Sequence, residues 1–156
     1  MNTKSGVTML TILLLTASLS FADGPRCSTK SVAGDWGLTL TGTILLPTGA
    51  IPAAAVVNAS VDRDGNSTGT EGRNVGGGYA DETLAGSWTV NPDCTGSLTV
   101  NFYESGQLVR TSVLTIVFDD NSKQVRMVQK SLTLPDGTQL PVVITVEGRK
   151  QSAKEE

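Results

Sequence analysis

Apolar and polar residues alternate with a period of two along most of the chain after residue 22. From Trp36 to Thr41 and from Ser97 to Phe102, every second side chain is apolar. Such alternation is typical of a β-strand with one buried face. The final run, from Leu140 to Val146, is rich in β-branched residues, which favour strands. No helical apolar stripe of useful length occurs after residue 22, so the chain is predicted to be all-β.

Turn signals divide this pattern into eight predicted strands. Short segments rich in Gly, Asn, Asp and Pro separate the apolar runs, and these residues accept the backbone angles that turns require. Because the connections are short, consecutive strands are predicted to pair antiparallel. Eight such strands can close into an up-and-down barrel that has no exposed edge. The predicted strands lie near residues 33–45, 53–62, 66–73, 79–90, 96–104, 107–119, 123–134 and 138–149.

An immunoglobulin-like β-sandwich is the main alternative, because two cysteines flank a tryptophan in the sequence. The positions of the cysteines argue against it. Cys27 precedes the first predicted strand, and Cys94 lies in an Asn-Pro-Asp turn. The residue two positions before Cys94 is Pro92, where the immunoglobulin fold carries its corner tyrosine. The barrel is therefore the preferred prediction.

The first 22 residues have the three-part layout of a secretory signal peptide. Lys4 is their only charged residue, an apolar stretch runs from Val7 to Leu15, and Ser20-Phe21-Ala22 matches the small-x-small pattern before a cleavage point. A membrane anchor would need a longer apolar run. We therefore predict a signal peptide at 1–22, a barrel domain at 23–149 and a flexible tail at 150–156. The mature protein is predicted to be secreted or periplasmic, without membrane association.

Export changes the meaning of the two cysteines. Cys27 and Cys94 are the only cysteines, and both follow the predicted signal peptide. An even number of cysteines in an oxidising compartment indicates a disulfide. We therefore predict a Cys27–Cys94 disulfide.

Composition excludes several classes of function. The formal net charge is -3, whereas a nucleic-acid-binding protein should carry a basic footprint. The sequence contains no histidine, which excludes Ser-His-Asp catalysis and histidine metal ligands. No dinucleotide or phosphate-binding glycine motif is present, and no metal site or cofactor is predicted.

Two pairs of acidic residues are the candidates for acid/base chemistry. They are Asp81 with Glu82, and Glu71 with Glu104. Catalysis would require one carboxyl to be buried with a shifted pKa. Strand residues in a polar run usually face solvent, so these side chains are expected on the outside and the protein is predicted not to be an enzyme. A barrel isomerase or hydrolase that uses carboxylates is the least favoured alternative.

The apolar faces of the strands supply a candidate binding site. An eight-stranded barrel has an interior that is either filled by side chains or holds one small ligand. The first hypothesis is a small hydrophobic ligand in a cavity of roughly 300 Å³ or more, with space left by Ala53, Ala54 and Ala55. The alternative is a filled barrel with a structural or surface-interaction role. The candidate ligand-binding residues are Trp36, Leu38, Leu40, Trp88, Val90, Leu98, Val100, Phe102 and Phe118.

Two tryptophan-containing segments carry a family resemblance. An early Cys27 is followed by Gly34-Asp35-Trp36, and later by the segment from Gly86 to Thr99, which reads GSWTVNPDCTGSLT. Over most of the chain after residue 22, this resembles a group of small secreted bacterial proteins of unknown function with a lipocalin-like (calycin-type) barrel. The resemblance implies the fold and export, and no established activity. Gly34-x-Trp36 is also similar to the first-strand motif of lipocalins, which implies that Arg149 covers Trp36 in a cation–π contact.

Overall fold

The computed structural model describes residues 27–151, which form nine strands and one short helix. The predicted signal peptide, 1–22, and positions 152–156 of the predicted tail lie outside the described residues. The elements are α1 Thr29–Val32, β1 Gly34–Leu46, β2 Gly49–Val61, β3 Asn66–Val75, β4 Gly78–Val90, β5 Thr95–Glu104, β6 Gln107–Asp119, β7 Gln124–Thr133, β8 Gln139–Leu140 and β9 Val142–Lys150.

Eight of these strands form a closed antiparallel ring. Strands β1 to β7 each pair with the next in sequence, and β9 pairs with both β7 and β1. Val146 of β9 lies opposite Leu40 on one side and Met127 on the other. The remaining strand, β8, is two residues long and pairs with the end of β7. The predicted lipocalin-like, eight-stranded up-and-down barrel is confirmed, and a single closed sheet rules out the two-sheet sandwich.

The predicted strands begin and end within two residues of the observed ones except at two places. The eighth predicted strand, 138–149, is interrupted at Pro141, which has no N–H for the ladder and whose carbonyl accepts a hydrogen bond from Leu45 N at 2.8 Å. Strand β2 begins at Gly49 rather than near residue 53. The sequence from Ala50 to Ala54 contains Pro52 and several alanines, which have low strand propensity, so the start of β2 was not evident.

Alternation along the strands separates a filled interior from a solvated exterior. On β2, Ala53 and Ala55 are buried whereas Ala54 between them is exposed. The same rule holds on β4, where Leu84 and Trp88 are buried. Successive strand side chains point to opposite faces, so one parity on each strand supplies the core.

One end of the barrel is closed by aromatic rings beneath α1. Trp36, Trp88 and Phe118 pack together with ring centroids 5.8 to 6.2 Å apart. Trp36 Nε1 donates a hydrogen bond of 2.8 Å to the carbonyl of Val32, a fully buried residue at the end of α1. The helix begins with a capping box between Ser28 and Ser31. We call this closed end the base of the barrel.

The predicted disulfide holds the α1 segment onto the base. Cys27 and Cys94 are bonded, with their Cα atoms 4.9 Å apart. Cys94 lies in the turn between β4 and β5, and its carbonyl accepts a hydrogen bond of 2.9 Å from Phe118 N. The bond therefore joins the chain before β1 to the turn beside the aromatic rings, 67 positions away in sequence.

The expectation that Arg149 covers Trp36 is wrong. Arg149 is exposed on the outer face of β9, because the neighbouring Gly148 occupies the inward position. A Cβ atom at Gly148 would lie 2.1 Å from Leu38 Cδ2, so the wall leaves no room for a side chain there. Among the described residues, the cation–π contact is instead Arg110 over the Phe102 ring, at 3.8 Å.

Removing the disulfide should destabilise the barrel without changing its fold. Replacing both cysteines, Cys27→Ser with Cys94→Ser, frees a long loop in the unfolded chain. The free energy of unfolding is expected to fall by about 4 kcal/mol in urea denaturation. Reductant should lower the stability of the native sequence to the same value and leave the variant unchanged. Equal stabilities of the oxidised protein and the variant would contradict this.

Candidate functional site

The barrel interior contains two adjacent cavities. The inner chamber has a volume of about 40 Å³ and lies in the middle of the barrel. The outer chamber, of about 190 Å³, lies towards the end opposite the base. Both chambers are lined by Leu40, Glu71, Phe102, Ser112 and Gln129, which come from five strands around the ring, so the two chambers adjoin across the barrel interior. The unfilled interior thus extends from the end opposite the base, which we call the open end, towards Trp88.

The predicted ligand-binding residues are divided between these chambers and the base. The inner chamber is lined by six of them, and two of the six also line the outer chamber. Trp36 and Phe118 belong to the aromatic base, and Val90 packs half-buried against the core; these three line neither chamber. The six are Leu38, Leu40, Trp88, Leu98, Val100 and Phe102.

Neither chamber reaches the expected volume of roughly 300 Å³. Large inward side chains, including Trp88, Phe102 and Met127, occupy much of the interior. The outer chamber remains because alanines replace larger residues on β2. Ala53 and Ala55 are buried at its wall, as expected of small inward residues, whereas Ala54 lies on the exposed face of the strand. The available space suits a ligand smaller than a drug-sized molecule.

Four charged side chains form a cluster in the barrel wall at the outer chamber. We call Glu71 and Arg73 on β3, Glu82 on β4 and Arg110 on β6 the charged cluster. The strand register brings them together: Glu71 lies directly opposite Glu82, and Arg110 lies opposite Phe102 of β5. Glu71, Arg73 and Arg110 line the outer chamber. The cluster therefore sets the charge of the cavity wall.

Arg110 joins the two buried carboxylates. Its Nη1 donates to Glu82 Oε2 and its Nη2 donates to Glu71 Oε2, while Arg73 Nε donates to Glu82 Oε1. Glu71 is 2% and Glu82 3% exposed. Isolated buried charges would be strongly destabilising, and these pairings offset the cost of desolvation. The guanidinium of Arg110 also lies over the face of Phe102, which further fixes its position.

The four candidate acid/base residues are expected from the sequence to face outwards. This expectation is wrong for Glu71 and Glu82 and holds for Asp81 and Glu104, which are exposed. Parity explains the difference. Counting back in steps of two from the buried Trp88 reaches Leu84 and then Glu82. The polar composition of this part of β3 and β4 concealed an inward face that the position of Trp88 already specified.

The two buried carboxyls differ in acidity. Burial raises the pKa of Glu71 to about 7; a hydrogen bond shared with Glu82 acts in the same direction, and the charge of Arg110 opposes both. Burial also acts to raise the pKa of Glu82, but the hydrogen bonds and charges of Arg73 and Arg110 outweigh it, and the pKa is lowered. Near neutral pH, Glu71 is therefore present in both its protonated and its ionised form, while Glu82 is ionised.

The linings of both chambers also include a neutral polar pair, Ser112 on β6 and Gln129 on β7. Gln129 Nε2 donates hydrogen bonds to Ser112 Oγ at 2.9 Å and to the Ser131 carbonyl at 3.1 Å. Two residues that line the inner chamber each carry a buried polar atom with no hydrogen-bond partner among residues 27–151, Ser67 Oγ and Trp88 Nε1. Sequence reasoning identified Trp88 only as an apolar wall residue and missed Ser67, Ser112 and Gln129. Their inward parity was the available signal.

Within residues 27–151, no group of three or more His, Cys, Asp or Glu side chains is placed to hold a metal ion.

No helix within residues 27–151 is long and apolar enough to cross a membrane.

Solved structures share the architecture of this chain at low sequence identity. The EF1p2_mFAP2b structure, bound to DFHBI, superposes with a TM-score of 0.53 at 13% identity over 80% of this chain and all of the other. The redesigned β-barrel mFAP1, also bound to DFHBI, gives a TM-score of 0.49 at 16% identity over 79% of this chain and 98% of the other. No family model and no curated protein matches the sequence.

A natural protein is among the similar structures. The S-type phycobiliprotein lyase CPES from Guillardia theta has a TM-score of 0.46 and 8% identity, over 83% of this chain and 96% of the lyase. At these identities, the comparison with EF1p2_mFAP2b supports the barrel fold and no activity.

Glu71 should make stability fall as pH rises. Its folded pKa, about 7, lies above the ordinary value of 4.5, so the folded state holds the proton more tightly between these values. From about pH 5 to about pH 8, the free energy of unfolding is expected to decrease by about 1–3 kcal/mol. Glu71→Gln should remove this decrease, as measured by urea denaturation at both pH values.

Glu104→Gln, at an exposed position, is the matched control and should retain the pH dependence of the native sequence. Glu82 does not obscure the measurement, because its lowered pKa places its contribution at more acidic pH. A Glu71→Gln variant whose stability still fell between the two pH values would contradict the assignment.

Proposed function

We propose that this protein is an exported, non-enzymatic barrel that binds a small, mostly apolar molecule through its open end. The observation that carries the proposal is the outer chamber of about 190 Å³, which adjoins the inner chamber. An apolar cavity of about 150 Å³ in another protein is large enough to bind benzene. The outer chamber therefore accommodates a single ring or a short branched chain.

The two ends of the barrel support a single route of entry. The base is closed by Trp36, Trp88 and Phe118 and by α1, which the disulfide holds in place. The hairpin turns at 47–48, 76–77 and 105–106 surround the opposite end. A ligand would pass between these turns and reach the chambers without separation of any strand pair.

The wall of the outer chamber favours apolar contact with the ligand. Its aliphatic residues come from β1, β2, β3, β6, β7, β8 and β9 and from the segment after β7, and β5 adds Phe102. Burial of apolar ligand surface against such a wall contributes roughly 25 cal/mol per Å² before the costs of association. The aliphatic lining residues include Leu40, Ile44, Leu132, Leu140 and Ile144.

The charged cluster is proposed to be structural rather than catalytic. Glu71 does meet the requirement that a carboxylate-dependent enzyme would impose, an inward acidic group at the wall of a cavity. However, each carboxylate is held by Arg110, and Glu82 also by Arg73. A general base must be free to accept a proton from the substrate, and these pairings engage the groups with the protein itself.

Three observations support export. The Cys27–Cys94 disulfide is of a kind that persists in oxidising compartments. The signal-like sequence at 1–22 and the resemblance to small secreted bacterial proteins agree with it. A secreted or periplasmic location would allow the barrel to take up its ligand outside the cytoplasm.

EF1p2_mFAP2b, described with DFHBI bound, illustrates that a barrel of this fold is compatible with a small ligand.

Filling the outer chamber should abolish binding. Ala53→Leu adds a larger side chain at the buried wall of that chamber, and toluene serves as a single-ring probe. The affinity for toluene, measured by isothermal titration calorimetry, is expected to fall at least about tenfold because the ring and the new side chain compete for one volume. Ala50→Leu, on an exposed position of the same strand, should bind toluene as the native protein does.

Two results would contradict the proposal. One is the absence of measurable toluene binding to the native protein. The other is an Ala53→Leu variant that is folded and binds toluene with unchanged affinity, because the ligand would then lie elsewhere.

A further inference from the structure

We propose that Trp88 and Ser67 form a polar subsite that binds a neutral oxygen atom at the inner end of the ligand. The ligand class is thereby narrowed to small molecules with an apolar body and a terminal hydroxyl or carbonyl group. This inference rests on the proposed function, since it identifies the chemistry of a ligand in the same two chambers.

Two unpartnered polar atoms in one small space carry the inference. Trp88 Nε1 and Ser67 Oγ are buried and have no hydrogen-bond partner within the described part of the chain, and both residues line the inner chamber. Each residue is only 3% exposed, so bulk solvent does not satisfy these atoms. Buried polar groups in folded proteins are nearly always hydrogen-bonded, which makes two exceptions in one chamber informative.

The neighbouring tryptophan shows that the aromatic base does not itself require an unpaired indole. Trp36 stacks on Trp88 with their ring centroids 5.9 Å apart, yet Trp36 Nε1 donates to the Val32 carbonyl. The two indoles thus share one environment and differ in having a partner. The unsatisfied donor belongs to the tryptophan that faces the chamber.

The sheet leaves space beside the Ser67 hydroxyl. Ser67 of β3 lies directly opposite Gly86 of β4. A Cβ atom at position 86 would lie 3.0 Å from Ser67 Oγ and 2.7 Å from the Thr99 carbonyl. A side chain at this position would clash with the Thr99 carbonyl of the neighbouring strand and crowd the Ser67 hydroxyl. Glycine therefore leaves space beside the hydroxyl.

The donor and acceptor properties of the subsite define its ligand. An indole N–H can only donate a hydrogen bond, and a serine hydroxyl can donate or accept. The shared partner must therefore be an acceptor. An anion is disfavoured because the chamber is buried and Glu71 lines it. A neutral hydroxyl or carbonyl oxygen meets these conditions.

The dimensions allow one molecule to occupy both chambers. The inner chamber, of about 40 Å³, exceeds the roughly 10–15 Å³ that a single water needs, so it has room for one oxygen-bearing group. The outer chamber takes the apolar body, and the shared wall at Leu40 and Phe102 connects the two. The competing occupant of the inner chamber is a resident water.

Phenol and toluene are matched probes, since they differ by a hydroxyl in place of a methyl group. With ¹⁵N-labelled protein, phenol is expected to shift the Trp88 indole N–H resonance downfield and toluene is not. Trp36 is the internal control, because its indole is already bonded and these are the only two tryptophans. Trp88→Phe identifies which resonance is which.

Ser67→Ala tests the second half of the subsite. The hydroxyl has no partner among the residues that the structure describes, so its removal should leave the fold intact. Loss of one hydrogen bond to the ligand should lower the affinity for phenol about tenfold, with the affinity for toluene unchanged. Ser87→Ala, at an exposed position on β4, should alter neither affinity.

Three results would overturn the inference. The first is that toluene binds while phenol fails to shift the Trp88 resonance and Ser67→Ala fails to lower the affinity for phenol. In that case the subsite is wrong and the binding function stands. If the Trp88 resonance is already downfield without a probe and phenol does not move it, a resident water occupies the chamber. If neither probe binds, the proposed function fails and the subsite fails with it.

Discussion

Closure of the ring between β9, β1 and β7 is the constraint on which the other features of this protein depend. A closed sheet has one interior, and alternation assigns every second side chain to it. At the base, three aromatic rings fill that interior, and α1 with its disulfide covers them. The unfilled volume is consequently displaced towards the other end, where the small Ala53 and Ala55 replace larger residues. Closure thus accounts for both the stability of the base and the position of the chambers.

Closure also explains why four charges can stand in the wall. The register of β3 with β4 places Glu71 opposite Glu82, and the curvature of the ring brings Arg110 from β6 within hydrogen-bonding distance of both. Removal of one partner would leave a buried charge unpaired, which is costly in a medium of low dielectric constant. The cluster thus adds charged side chains to the otherwise largely aliphatic lining of the outer chamber.

Much of the fold could be predicted from the sequence, because period-two alternation and turn residues are local signals. The strand from Gln107 to Asp119 lies where the pattern predicted it. The helix α1 was not predicted, since one turn carries no apolar stripe. The role expected for Arg149 was wrong because it came from the resemblance to lipocalins, whereas the alternation of side chains along β9 turns Arg149 outwards. Pairings such as Glu71 with Arg110 depend on register across several strands, and an unpaired atom such as Trp88 Nε1 depends on packing that no local pattern encodes.

The central claim is that the barrel is solid at its base and open to a small molecule at the other end. Diffraction from crystals pressurised with xenon tests it most directly, because xenon enters preformed apolar cavities. A xenon peak beside Ala53 and Phe102, with none between the rings of Trp36 and Phe118, is the expected result. An absence of xenon from the outer chamber, or a peak within the aromatic base, would contradict this account.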